Sequence, residues 1–291
     1  MKILVTGADG FTGLHFCQLA RQRGHSVTGL QTNLTDHVNL HAELKRTAPD
    51  AVVHLAAISF VGHADASAFY NVNVLGTLNL LEGLSLLPEK PKRVLLASSA
   101  NIYGNCEVSP ISESQPAAPI NHYAMSKLAM EYMARTYLDR LPLFFVRPFN
   151  YTGPSQATSF LIPKLVQHFS EKAARIELGN LHVEREFNDV RFVCEAYLKL
   201  LENAVSGEVY NICSGRPMSL QSVIALLKTI TGHHPQIAVN PAFVRANEIH
   251  RLCGDPSKLE ACVGQLSVPD FGDTLTWMLT NNGSVNSPIS I

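Results

Sequence analysis

Short apolar strands alternate with helices through the first half of the chain, and this alternation constrains the fold more than any other feature. Strands are predicted where β-branched and aliphatic residues cluster, over 2–6, 26–30, 51–57, 93–99 and 143–147. Helices are predicted between them, over 11–22, 35–47, 64–87 and 121–139. Because strands joined by helical crossovers form parallel sheets with helices on both faces, we predict an α/β protein with a doubly wound parallel sheet.

The pattern is less regular after Pro148. Helices are predicted over 159–173, 189–204, 219–232 and 271–279, with a strand over 208–213. We therefore expect a first domain over 1–150, with return segments near 180–215, and a smaller lobe over 151–280. The polar end of the chain, 281–291, has no periodicity and is predicted to be a flexible tail.

Charge and composition exclude several classes of protein. The net charge is −1, whereas a protein that wraps nucleic acid carries a basic excess. Apolar runs are too short for a membrane span or for the core of a signal peptide. The six cysteines form no C-x-x-C pair, so we expect reduced thiols and a cytoplasmic location. The 12 histidines do not supply clustered ligands, and no metal site is predicted.

A glycine-rich loop joins the first strand to the first helix. Gly7, Gly10 and Gly13 follow a G-x-x-G-x-x-G spacing, with Phe11 and Thr12 opening the helix. Glycines at such a position let backbone N–H groups approach a pyrophosphate at the helix N-terminus. The loop therefore predicts a dinucleotide site and a Rossmann-type domain, and the alternative is an ordinary left-handed turn.

The residues after the second strand do not indicate whether the cofactor is NAD or NADP. An acid that would hold the adenosine ribose is expected about 20 residues after the glycines, and an arginine would favour a 2′-phosphate. The strand instead runs into Gln31, Thr32 and Asn33. Since roughly 20 residues separate this strand from the next, only one helix fits between them. One helix–strand pair of the full doubly wound unit is predicted to be missing.

A tyrosine and a lysine share one face of a predicted helix. Tyr123 and Lys127 are four residues apart, one helical turn. An ammonium beside a phenol lowers the pKa of the phenol, which makes it a competent general acid or base. Ser99 ends a predicted strand, where ligands bind in parallel sheets. Its hydroxyl is expected either to hydrogen-bond a substrate oxygen or to cap the following turn.

Several other side chains have competing interpretations. His54, on a buried strand, is predicted to be a structural histidine. Tyr103 and Tyr151 are expected either to stack on a sugar or base or to lie in the core.

The motifs together resemble a known family. The segments TGADGFTG, HLAA, SSANIYG and YAMSK are similar to the extended short-chain dehydrogenase/reductases that act on nucleotide sugars. The later segments RPFNYTGP, GNL, REFNDV and YNICSG are similar to the branch of GDP-mannose dehydratases and GDP-6-deoxy-4-keto-mannose reductases. The short second-strand region resembles the reductases in particular.

This resemblance implies a role for individual residues. Tyr123 would be the acid or base, Lys127 would lower its pKa and hold the nicotinamide ribose, and Ser99 would bind the reacting C4 oxygen. NAD or NADP would be held by these two helical residues together with Gly7, Gly10, Phe11, Thr12, Gly13, Asn33, Leu34, Leu55, Ala56, Ala57, Asn73 and Arg147. The nucleotide-sugar substrate would be held by Asn101, Asn150, Arg185, Arg245 and Glu248.

The chain also departs from the family. Dehydratases carry an acid at the position of Asn101, and an amide cannot take up a proton there, which argues against dehydration. Glu186 and Phe192 replace the usual aspartates of the R-D-F-x-D-V-x-D segment, so the contacts of the substrate lobe and the exact sugar stay open.

The leading hypothesis is an NAD(P)H-dependent reductase of the C4 keto group of an NDP-4-keto-6-deoxyhexose. A nucleotide-sugar 4-epimerase and a non-catalytic dinucleotide-binding sensor are the alternatives. The resemblance also implies a homodimer formed through helices 64–87 and 121–139.

Overall fold

The computed structural model describes residues 1–244 and 250–281. Its centre is a six-stranded parallel sheet with the strand order β10-β5-β4-β3-β1-β2. The strands are β1 (Lys2–Thr6), β2 (Ser26–Gly29), β3 (Ala51–His54), β4 (Arg93–Ala97), β5 (Leu143–Pro148) and β10 (Val209–Ile212). The predicted α/β class and Rossmann-type sheet are confirmed.

The edge of this sheet explains the short second-strand region. β2 pairs with β1 and is the last strand on its side, and α2 (His37–Thr47) leads directly from it to β3. Within the described residues no strand lies beyond β2, so the predicted loss of one helix–strand pair is confirmed.

Helices cover both faces of the sheet. On one face, α1 (Phe11–Gln22) and α7 (Val190–Asn203) pack around a core that contains Phe16, Phe144 and Tyr197. On the other face, α2, α4 (Thr77–Ser85) and α5 (His122–Arg135) bury leucines such as Leu40, Leu80 and Leu96. Because β1, β3 and β4 are buried on both faces, their sequences are almost continuously apolar.

The predicted helix over 64–87 is three consecutive segments. It consists of α3 (Ala66–Tyr70), a π-helical segment (Asn71–Gly76) and α4. A π-helical turn inserts one extra residue per turn and is frequent at functional sites. The 3.6-residue periodicity used for the prediction does not distinguish such an insertion.

The second half of the chain forms three small sheets and further helices. The strands are β6 (Tyr151–Thr152), β7 (Arg175–Leu178), β8 (Glu184–Glu186), β9 (Asn188–Asp189), β11 (Pro217–Ser219), β12 (Gln236–Val239) and β13 (Arg251–Leu252). The helices are α6 (Leu161–Ser170), α8 (Leu220–Thr231), α9 (Ser257–Val263) and α10 (Phe271–Thr280). The sequence predicted three of these helices but neither α9 nor any of the strands, which are only two to four residues long.

Three further expectations concern membrane spans, the cysteines and the end of the chain. Among the described residues, no helix is both long and apolar enough to cross a membrane. All six cysteines are free thiols. The predicted flexible tail lies outside the described residues from position 282 onward.

Candidate active site

The glycine loop needs its glycines for backbone geometry. Gly7 has φ +65°, and a Cβ there would come within 2.9 Å of the backbone nitrogen of Ala56, in the segment that follows β3. A Cβ on Gly13 would collide with the carbonyl oxygen of Gly7. The loop therefore lies flat against β3, and α1 approaches the loop closely.

The first turn of α1 fits an anionic ligand. Gly10 is the N-cap residue and, as a glycine, has no side chain to cap the helix, so the first N–H groups of Phe11, Thr12 and Gly13 have no side-chain cap. Such groups at a helix N-terminus form a ready site for a pyrophosphate. A dinucleotide thus fits the residues present, with its pyrophosphate on this turn.

The chain leaving β3 is fixed to β1 by a buried hydrogen-bond network. The Thr6 hydroxyl accepts from the backbone N–H groups of Leu55 and Ala56, at 3.2 and 3.1 Å. It also bonds Nδ1 of His54 at 2.7 Å, and Nε2 of His54 bonds Thr77 Oγ1 at 2.8 Å. Burial lowers the pKa of His54 to about 3. His54 is therefore a neutral structural histidine, as predicted, and it places residues 55–57 beside the glycine loop.

Asn73 lies in the π-helical segment and is almost fully buried. Its Nδ2 donates to the carbonyl oxygen of Ile58 and to Ser126 Oγ, and its Oδ1 accepts from Ile58 N–H. The amide that was predicted to line the cofactor site is thus engaged in holding the loop after β3 to α5.

The loop after β2 is anchored by a carboxylate that sequence analysis missed. Glu43, buried on α2, accepts from the backbone N–H groups of Gln31 and Thr32 at 3.0 and 2.8 Å. Asn33 is exposed and its Oδ1 caps the turn at Thr35, whereas the Leu34 side chain is buried in the core. The signal for Glu43 was an acid within a buried stripe of a helix, which requires a partner.

Ser99, Tyr123 and Lys127 come together at the carboxyl end of β4. Ser99 begins the short 3₁₀ helix Ala100–Tyr103, and its hydroxyl accepts from the backbone N–H of Asn101 at 3.2 Å. Ser99 lies near enough to Tyr123 for its hydroxyl to lower the pKa of the phenol. Lys127 Nζ donates to the carbonyl oxygen of Ala97 at 2.8 Å. All three catalytic candidates are buried, and the Ser99 hydroxyl also caps the following turn.

The pKa values differ from the sequence-based expectation. Burial raises the pKa of Tyr123, and the hydrogen bond from Ser99 opposes this rise. Burial also lowers the pKa of Lys127 to about 8, and the negative charge of Glu131 opposes that change. Lys127 was predicted to lower the pKa of Tyr123. In the chain alone that pKa is raised instead, because desolvation outweighs the other effects at Tyr123.

Asn101 occupies the position where dehydratases carry an acid. Its Nδ2 donates to Ser99 Oγ at 3.1 Å, and its backbone N–H bonds the same oxygen. The amide side chain thus donates a hydrogen bond to the serine oxygen, which a deprotonated carboxylate could not do.

Arg147 was predicted to bind the cofactor, but the structure places it in a buried ion pair. Its Nε and Nη2 donate to the two carboxylate oxygens of Glu131, at 2.9 and 2.7 Å. Its Nη1 donates to the hydroxyl of Tyr103, which donates to Asn211 Oδ1 at 2.7 Å. Tyr103 is thus a core residue. Glu131, one turn beyond Lys127 on α5, was missed, although its four-residue spacing from the lysine was the available signal.

Asn150 and Arg185 are two of the residues that were predicted to bind the substrate. Asn150 is exposed just after β5 and Arg185 is buried on β8, where it donates to the carbonyl oxygen of Glu184 at 2.9 Å. The predicted substrate residues Arg245 and Glu248 lie outside the described residues.

Glu186 joins the small lobe to the main sheet. Its fully buried carboxylate accepts from the backbone N–H groups of Ser214, Gly215 and Gly254. Ser214 follows β10 of the main sheet, whereas Gly254 follows β13 of the lobe. Glu186, the first departure from the family pattern, therefore has a structural role and joins the lobe to the main sheet. Phe192, the second departure, is a buried core residue.

No group of three or more histidine, cysteine or acidic side chains within residues 1–244 and 250–281 is arranged to hold a metal ion.

Comparisons with known proteins agree with this geometry. Residues 3–213 match the NAD dependent epimerase/dehydratase family. A GDP-6-deoxy-D-talose 4-dehydrogenase of Aggregatibacter actinomycetemcomitans is 40% identical, over 91% of this chain and 92% of the relative. A GDP-6-deoxy-D-mannose reductase of Pseudomonas aeruginosa is 34% identical, over 90% and 91%. The structure of RMD from Pseudomonas aeruginosa complexed with NADPH superposes with a TM-score of 0.90 at 32% identity, covering 96% of this chain and 98% of RMD.

The family match covers more than half of the chain, and both relatives match nearly all of it. The chain therefore belongs to the NAD-dependent epimerase/dehydratase family of extended short-chain dehydrogenase/reductases, and it is an NAD(P)-dependent oxidoreductase of that type.

Proposed function

We propose that the protein reduces the C4 keto group of GDP-4-keto-6-deoxymannose with NAD(P)H, giving GDP-rhamnose or its C4 epimer GDP-6-deoxytalose. The observation that carries this proposal is the burial of Ser99, Tyr123 and Lys127 near the carboxyl end of β4, with the Asn101 amide bonded to Ser99 where dehydratases have an acid. The names of the two relatives, a GDP-6-deoxy-D-talose 4-dehydrogenase and a GDP-6-deoxy-D-mannose reductase, support the GDP-linked 4-keto sugar.

The residues would share the chemistry as follows. The reduced nicotinamide supplies the hydride that C4 receives. Tyr123 would donate its phenolic proton to the C4 oxygen as the carbonyl becomes an alcohol, and Ser99 would hold that oxygen in place. Burial raises the pKa of Tyr123, so the phenol carries its proton at neutral pH.

The other predicted contacts complete the site. The ammonium of Lys127 would hold the nicotinamide ribose and stabilise the phenolate that remains until solvent returns a proton. Gly7, Gly10, Phe11, Thr12 and Gly13 would hold the pyrophosphate.

Two further contact groups are also proposals. The adenosine half of the dinucleotide would lie along Asn33 and Leu34 and along residues 55–57. Asn150 and Arg185 would contact the phosphates and the nucleotide of the sugar.

A direct assay tests the reaction. Purified protein is mixed with GDP-4-keto-6-deoxymannose and either NADPH or NADH, and absorbance is followed at 340 nm. We expect one dinucleotide oxidised per sugar reduced, and product analysis then separates the two C4 epimers. An unchanged absorbance with both dinucleotides would falsify the proposal. Turnover of a nucleotide sugar without added reductant would identify a 4-epimerase instead.

We also propose a homodimer that acts in the cytoplasm. The apolar side chains of Leu75, Met125 and Tyr132 are 50%, 43% and 68% exposed on the helical segments predicted to form the interface. Light scattering is expected to give twice the chain mass, and Tyr132→Glu to give the single mass. The six free thiols support a reducing compartment.

A further inference from the structure

Three side chains in the first two turns of α1 contact the second half of the chain. Thr12 Oγ1 hydrogen-bonds the hydroxyl of Tyr151 at 2.7 Å. The ring of Phe11 stacks on the ring of Tyr151, with centroids 5.8 Å apart and planes inclined by 21°. One turn later, His15 Nε2 lies 2.9 Å from the carbonyl oxygen of Pro154. The turn that offers its N–H groups to a pyrophosphate is thus joined directly to the segment after β5.

Tyr151 is also linked to the substrate side. It follows Asn150 in the chain and belongs to β6, which pairs with β9. Asn188 on β9 donates its backbone N–H to the carbonyl oxygen of Asn150 at 2.9 Å. The backbone of the exposed Asn150 is therefore bonded to the lobe and is adjacent to Tyr151 in the chain.

We propose that Tyr151 is a positioning residue that couples binding of the dinucleotide at α1 to binding of the nucleotide sugar at Asn150. The inference rests on the proposed function, because that function places one ligand on each side of the tyrosine. A pyrophosphate on the first turn of α1 fixes Phe11 and Thr12, and these fix Tyr151 through the stacked ring and the hydroxyl. Asn150 is then ordered before the sugar nucleotide arrives, which removes part of the ordering cost of its binding.

Such coupling is reciprocal and is measured without turnover. GDP is titrated calorimetrically into the protein alone and into the protein saturated with NADP⁺. We expect the Kd of GDP to be at least fivefold lower with NADP⁺, and the Kd of NADP⁺ to fall by the same factor with GDP.

Tyr151→Phe keeps the stacked ring and removes only the hydroxyl that bonds Thr12. In this variant the coupling factor is expected to fall below twofold, and the KM for the sugar to rise by more than kcat falls. Tyr210→Phe is the matched control, because this buried tyrosine in the same core also loses a hydroxyl bond, to the backbone N–H of Val205 at 3.1 Å. It is expected to keep the wild-type factor.

The outcomes separate this inference from the proposed function. A wild-type factor in Tyr151→Phe, or the absence of coupling in the wild type, overturns the inference even if the sugar is reduced. Intact coupling that is lost in Tyr151→Phe, without reduction of the sugar, overturns only the proposed function. Failure of the wild type to bind GDP overturns both.

Discussion

Two buried glutamates support the site in different ways. Glu131, one turn beyond Lys127 on α5, is balanced by the guanidinium of Arg147 through two hydrogen bonds. Glu186, between the main sheet and the lobe, is held by backbone N–H groups from Ser214, Gly215 and Gly254. Two paired side chains can be replaced together by apolar residues, whereas backbone N–H donors remain when the side chain that faces them is substituted. The first arrangement tolerates compensated change, and the second does not.

The largest effect is expected for Tyr123, which lies on α5 one turn before Lys127. Tyr123→Phe removes the proton donor and leaves the ring in its buried position, so kcat should fall by about 10²–10⁴. Glu131 supports this helix without contacting the reaction, so the two positions separate chemistry from support. The measurement is the single-turnover rate of NADPH oxidation together with the melting temperature, which should be near the wild-type value. A variant that keeps its rate would remove Tyr123 from the mechanism.

Glu131→Ala is expected to cost about 3–5 kcal/mol of unfolding free energy, because it leaves the Arg147 guanidinium buried without its partner. The double variant Glu131→Ala/Arg147→Met removes both charges and should recover most of that loss. Urea unfolding of the three proteins measures the difference. If the double variant is less stable than the single one, the two residues do not act as an exchangeable pair.

Glu186→Gln is expected to cost about 1–3 kcal/mol, since the amide turns an N–H donor toward backbone donors and leaves a buried group unsatisfied. No substitution of a facing side chain can remove those backbone donors. The effect should appear in unfolding and in the KM for the sugar more than in kcat, because the carboxylate joins the lobe to the sheet. An unchanged unfolding free energy would contradict the junction assigned to it.

The smallest effect, taken per pH unit, is the pH dependence of stability caused by His54 in the main sheet. His54 has a pKa of about 3 in the folded chain and an ordinary value near 6.5 when unfolded, so the unfolded chain binds more protons between these values. The stability contributed by the neutral ring is therefore complete above pH 6.5 and is lost as the pH falls. The slope should reach about 1.4 kcal/mol per pH unit.

His54→Gln should flatten this slope between pH 4 and 6.5 in urea unfolding, at the cost of lower stability at neutral pH. The exposed His234→Gln is the control and should leave the slope as it is in the wild type. An equal slope in the wild type and in His54→Gln would assign the acid sensitivity elsewhere.

The parts that sequence analysis predicted are those governed by local chemistry. The alternation of apolar strands and helices, the need for glycine at Gly7, and the four-residue spacing of Tyr123 and Lys127 each depend on residues close in the chain. For the same reason the missing helix–strand pair could be inferred from the length of one connection. The short strands of the lobe could not, because two to four residues carry too little periodicity.

The sequence by itself thus determined the parallel sheet, the glycine loop before α1, and the helix that carries Tyr123 and Lys127. Only the tertiary structure decided that Arg147 pairs with Glu131, that Glu186 joins two sheets, that burial raises the Tyr123 pKa, and that Tyr151 meets Thr12. Each of these joins residues distant in the chain, and a pairing of that kind depends on how the elements pack. A buried charge or hydroxyl must find a partner, but which partner it finds is set by the fold.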